Sequence, residues 1–77
     1  MNKQRRKELE EAVRLLEEAY STIESILEQE QEAFDNMPEG LQESERGEQM
    51  QENIDNLDSC LSDLENVKEQ VEEVIED

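Results

Sequence analysis

Apolar residues recur along the first half of this chain at spacings that alternate four and three. They are Leu9, Val13, Leu16, Tyr20, Ile23 and Leu27, then Glu30 where an apolar residue is due, then Phe34 and Met37. That is a heptad seam, interrupted once. A second row, Ala12, Ala19, Ile26 and Ala33, precedes alternate seam positions by one residue. It widens the apolar stripe beyond a two-stranded seam, as expected of a helix that touches more than one neighbour.

The second half repeats the logic with Met50, Ile54, Leu57, Leu61, Leu64, Val71 and Ile75 as seam, and Cys60, Val67 and Val74 as the flanking row. Lys68 is its one charged seam position. Glu30 and Lys68 have two readings: their stems snorkel while the charges reach water, or they fix register and oligomeric state.

Between the halves, DNMPEGLQESERG (residues 35 to 47) breaks the pattern. Pro38 cannot continue a helix, Gly40 tolerates the left-handed conformation that ends one, and Ser44 is a good N-cap. The expected organisation is a single all-α domain over 1–77: helix 1 about 3–36, a connector over 37–44, and helix 2 about 45–76. Each helix of some 30 residues would be about 45 to 50 Å long, and so short a link should fold them back as an antiparallel hairpin.

In a symmetric fold-back Phe34 meets Gly47, Leu27 meets Ile54, Tyr20 meets Leu61 and Leu9 meets Val71. Gly47 near a helix start costs about 1 kcal/mol relative to Ala, and close approach of the Phe34 ring would be a reason to keep it. Met37 and Leu41 are expected to cap the end of the core. Cys60 reads as a small core hydrophobe. A hairpin of 77 residues has only a thin core, so it is expected to dimerise into a four-helix bundle.

Charge narrows the function. Twenty-four Asp and Glu against seven Lys and Arg give a net charge of -17, with no His and no Trp. Such a composition often signals disorder, but the apolar spacing is too regular for that. The surface should repel nucleic acid and anionic membranes and attract basic partners. Four of the basic residues, Lys3, Arg5, Arg6 and Lys7, cluster at the start and should neutralise the acidic end VEEVIED. Like-charge crowding predicts a fold more stable in moderate salt and as pH falls from 7 toward about 5.

Candidate chemistry is sparse. Residues 35 to 46 begin with Asp and place Gly40 sixth, as a calcium loop would, but Met37 and Arg46 stand where oxygen ligands are needed. A lone Cys60 without His forms neither an internal disulfide nor a zinc site, and fits a reducing cytoplasm. Glu17 with Glu18, and Glu72 with Glu73, point to different sides of their helices and make no acid/base dyad. Ser21 to Glu24 and Ser62 to Glu65 match a capping box only inside continuous apolar periodicity. No catalytic residues, cofactor or metal are expected, and no apolar run approaches the length a bilayer needs.

The run EQEQEAFDNMPEGLQESERGEQMQENIDNLDSCLSDLE, residues 28 to 65, resembles small acidic proteins of bacteriophages and prophages, particularly of Gram-positive bacteria. The likeness centres on QEAFDNMPEGLQESERGE and covers about half the chain. It implies a packed corner of Phe34, Met37, Pro38, Leu41 and Gly47 that a partner could read, in the cytoplasm of a bacterial host. The functional expectation is a non-enzymatic protein-protein interaction module that homodimerises and binds a host or phage protein, a basic surface being the kind its charge would attract. The alternative is an acidic DNA mimic that inhibits a host DNA-binding or defence protein. Neither reading has the chain contacting nucleic acid or membrane directly.

Overall fold

The computed structural model describes residues 1–77 and is all-helical. Helix α1 spans Lys3–Asp35, a single turn α2 spans Glu39–Gln42, and α3 spans Glu45–Glu76. Local chemistry sets each boundary. The Asn2 side chain accepts a hydrogen bond from the Arg5 amide at 2.8 Å, satisfying one of the free donors that open α1. At the far end Pro38 closes α1 and starts α2, where the missing proline N–H costs nothing. Ser44 caps α3, its hydroxyl accepting from the Gly47 amide at 3.3 Å and donating to the Leu41 carbonyl.

Gly40 takes no left-handed conformation. It lies inside α2, and α1 ends at Asn36 in the right-handed region, so the connector turns by a short helix instead of a glycine cap.

The molecule measures 58 × 15 × 13 Å. One helix of 33 residues is about 50 Å long, so α1 and α3 lie alongside each other along most of their length. The start of α1 sits by the end of α3, where an Arg6 Nη2 donates to the Asp77 main-chain oxygen at 2.9 Å. Lys68 reaches from α3 to Glu17 of α1, with Nζ and Oε1 3.6 Å apart.

Side chains of the seam fill the contact, yet only Val13, Ile54 and Leu61 among hydrophobic residues are buried. The rest of the seam, from Leu9 to Ile75, is half-buried. Two helices can cover each other on one side only, so a residue on the seam still shows its edges to water. An unfolded chain of 9.0 kDa would expose about 13,000 Å², and 5869 Å² remains exposed here. About 55% of the surface is therefore buried, less than the roughly 60% typical of a 60-residue domain.

Candidate interaction surfaces

Residues two apart on a helix point about 200° apart, so the flanking row and the acidic residues fall on opposite sides of the seam. Ile26 and Cys60 border one groove, with Glu30, Asn53, Asn56 and Leu57. Glu28 and Asp58, two positions on and two positions back, border another together with Leu27, Glu32, Asp35, Ile54 and Asp55. The helix pair thus has an apolar side and an acidic side.

On the apolar side Leu15, Ile26, Val67 and Val74 are 52%, 46%, 44% and 46% exposed. Cys60 lies among them and is exposed. The expectation of a buried core thiol fails for a geometric reason. The flanking row leans away from the seam, and a single partner helix cannot reach over it. Leu15 belongs to the same side but to neither apolar row, and only the placement of the helices picks it out.

The rod as a whole leaves a deficit of burial. A compact monomer of 9.0 kDa would expose about 4,900 Å², roughly 1,000 Å² less than this chain does. A standard protein interface takes about 800 Å² from each partner.

The acidic side continues along the rod, where Tyr20, Glu24, Asp58, Leu61 and Glu65 border a neighbouring groove. Leu27 with Ile54, and Tyr20 with Leu61, share these groove walls, as the fold-back register expects. No three carboxylates or thiols converge tightly enough to hold a metal ion.

Charged pairs elsewhere are local. Arg14 bridges Glu11 at 2.7 Å and Glu18 at 3.0 Å on the surface of α1, a Glu-x2-Arg-x3-Glu spacing visible in the sequence but not singled out from it. Hydrogen bonding from Arg14 holds the Glu11 carboxyl below its ordinary value, opposite in sign to the shift that acidic crowding would give. The same hydrogen bond, with attraction from Glu11 and Glu18, pushes the Arg14 guanidinium up. At Lys68 burial acts to lower the ammonium pKa, but attraction from Glu65, Glu17 and Glu72 outweighs it and the pKa rises. Lys68 is therefore a tie between the two helices. Glu30 is half-buried and forms no ion pair.

The basic run does less than expected of it. Arg6 alone meets the acidic terminus, through a main-chain oxygen; Lys3, Arg5 and Lys7 form no ion pair.

At the corner, Phe34 and Met37 are half-buried, Pro38 is exposed, and Leu41 is 52% exposed, so Leu41 does not close the core. Its apolar side chain turns to solvent because α2 carries its backbone, not its side chain, against α3. Gly47 is buried at that contact. A Cβ there would lie 2.6 Å from the Leu41 carbonyl oxygen and closer still to that of Gln42. The close approach that requires glycine is thus made by the 41–42 backbone and not by the Phe34 ring. Gln42, which the sequence did not single out, secures this corner by donating from its side-chain amide to the Phe34 carbonyl at 2.9 Å.

No helix is long and apolar enough to cross a membrane. No protein-family model, curated protein or solved structure matches the chain.

Proposed function

We propose that this chain is a non-enzymatic, phage-type interaction module: an antiparallel helical hairpin that self-associates as a dimer, forming a four-helix bundle, and binds a host or phage protein. The uncovered apolar side carries the proposal, because Leu15 and Ile26 of α1 and Val67 and Val74 of α3 leave exposed hydrophobics on a rod that buries only three others. If a second copy covers that side, the melting midpoint must rise with chain concentration. Thermal melts over a hundredfold concentration range test this, and a constant midpoint counts against self-association.

A second reading, an acidic DNA mimic that inhibits a host DNA-binding or defence protein, draws on a separate observation. Glu28, Glu32 and Asp35 from one helix and Asp55 and Asp58 from the other border a single groove, so the carboxylates stand in two rows. Duplex DNA carries one charge per roughly 1.7 Å, or about 34 over the 58 Å of this rod. Twenty-four acidic groups approach that density, and a dimer would exceed it. The reading predicts that a host protein captured on the immobilised chain is released by duplex DNA. Retention through a DNA wash would refute it.

A further inference from the structure

Resting on the self-association just argued, we infer that Glu30 makes it proton-linked: the second copy covers Glu30 of the first, so the dimer takes up protons as it forms and tightens as pH falls from 7 toward about 5. Glu30 is the one acidic residue in the apolar seams. The charge of Lys68, the other charged seam residue, is met by Glu17 across the helix pair, whereas Glu30 has no ion pair. It is half-buried and borders the groove of the apolar side with Ile26, Asn53, Asn56, Leu57 and Cys60. Helix α3 brings no cation to that groove, and Cys60 is the only titratable group it places there. Neither asparagine donates a side-chain hydrogen bond to Glu30. Arg46 stands one heptad from Asn53 toward the bend and forms no ion pair.

Covering the apolar side means covering this groove. Ile26 and Cys60 are exposed in its walls, so a copy that shields them lies over Glu30 too, whichever way its helices run. A carboxylate taken out of water with no cation beside it is costly to keep charged, and a proton removes that cost. In the free chain the groove is open and the charge stays hydrated. The two states therefore hold different numbers of protons, with the larger number in the dimer. Lowering the pH favours the dimer and raising it favours the free chain. A symmetric dimer covers two copies of Glu30, which doubles the effect of each.

Repulsion between two chains at -17 also eases in acid, so one carboxylate must be separated from the rest. Glu24 is the matched control: it is exposed, lies on the same helix and borders the opposite, acidic groove. Glu30→Gln and Glu24→Gln remove the same charge from different sides of the rod. Sedimentation equilibrium of both variants and of wild type, at pH 7 and about pH 5 and at one ionic strength, reads the dimer Kd directly. Circular dichroism confirms equal helix content. Glu30→Gln is expected to tighten the dimer at pH 7 by about tenfold or more and to lose most of the wild-type change with pH. Glu24→Gln should tighten it by less than about threefold and keep that change. Equal effects of the two variants would overturn the inference and leave self-association standing. So would a dimer weakened by Glu30→Gln, which would mean that Glu30 meets a cation of the partner. Monomer at every concentration and at both pH values overturns the inference and the self-association beneath it.

Discussion

Replacing Gly47 by alanine separates two physical arguments of opposite sign. Helix propensity favours alanine over glycine by about 1 kcal/mol, so at an open position in α3 the change would stabilise. Here the new methyl would meet the main chain of the 41–42 turn, with the Gln42 carbonyl carbon at 2.5 Å and the Leu41 oxygen at 2.6 Å. Backbone atoms cannot swing aside as a side-chain tip does, so the turn itself must move. That movement strains the Ser44 cap on the Gly47 amide and the Gln42 bond to the Phe34 carbonyl. Overpacking costs about 1–3 kcal/mol and a weakened cap or hydrogen bond about 1 kcal/mol, so after the propensity gain the expected net loss is about 2 kcal/mol. For a chain of this size that lowers the melting midpoint by roughly 10 °C. Gly40→Ala is the matched control, since nothing lies within 4 Å of a Cβ there and the residue is helical. It should raise the midpoint by a few degrees, a gain of about 0.5–1 kcal/mol. Circular dichroism melts at equal chain concentration decide the matter. A midpoint that rises in both variants would refute the close approach at Gly47.

Other perturbations follow from the same contacts. Ser44→Ala removes the cap of α3 and should cost about 1 kcal/mol by chemical denaturation, whereas no loss would mean that the cap is dispensable. With a net charge of -17, raising ionic strength from about 0.01 to 0.15 M should raise the melting midpoint, as the screening length contracts from about 30 to 8 Å; a fall would show that attractive pairs dominate. Lys68 has its pKa raised in the folded state, so its contribution is complete below the unfolded value of 10.5 and is lost as pH rises through the folded value. Lys68→Met should therefore lessen the fall in stability between about pH 9 and pH 12, measured against wild type. Glu11 acts in the opposite limb: its pKa is lowered, so its contribution is present at neutral pH and is lost as acid titrates it below 4.5, a loss that Arg14→Gln should reduce.

The all-helical class was legible because the apolar spacing of four and three has one inexpensive solution, a helix with a stripe. Ser44 was legible as a cap because a short hydroxyl side chain ahead of an amphipathic run has a specific use there. The corner was not. Pro38, Gly40 and Gly47 mark a turn, but which residue spares its Cβ for which neighbour depends on where α2 falls, and a four-residue helix leaves no periodicity to read. The exposure of Cys60 is hidden from the sequence for a related reason. Spacing puts it in a row beside the seam, but spacing does not say whether anything covers that row. Leu15 lies outside both rows and becomes noticeable only once two helices stand side by side. The division into an apolar and an acidic side was implicit in the sequence, since Ile26 and Glu28, or Asp58 and Cys60, are two residues apart. It took the pairing of α1 with α3 to bring like sides together.

The leading proposal for this chain depends on the apolar side being covered by another copy. Sedimentation equilibrium tests that most directly, because it weighs the particle in solution without a label or a surface. A dimer gives a mass near 18 kDa, twice the 9.0 kDa of the chain, at micromolar concentration and above, falling toward the monomer on dilution. A single species of 9.0 kDa that stays folded across the whole range would contradict it.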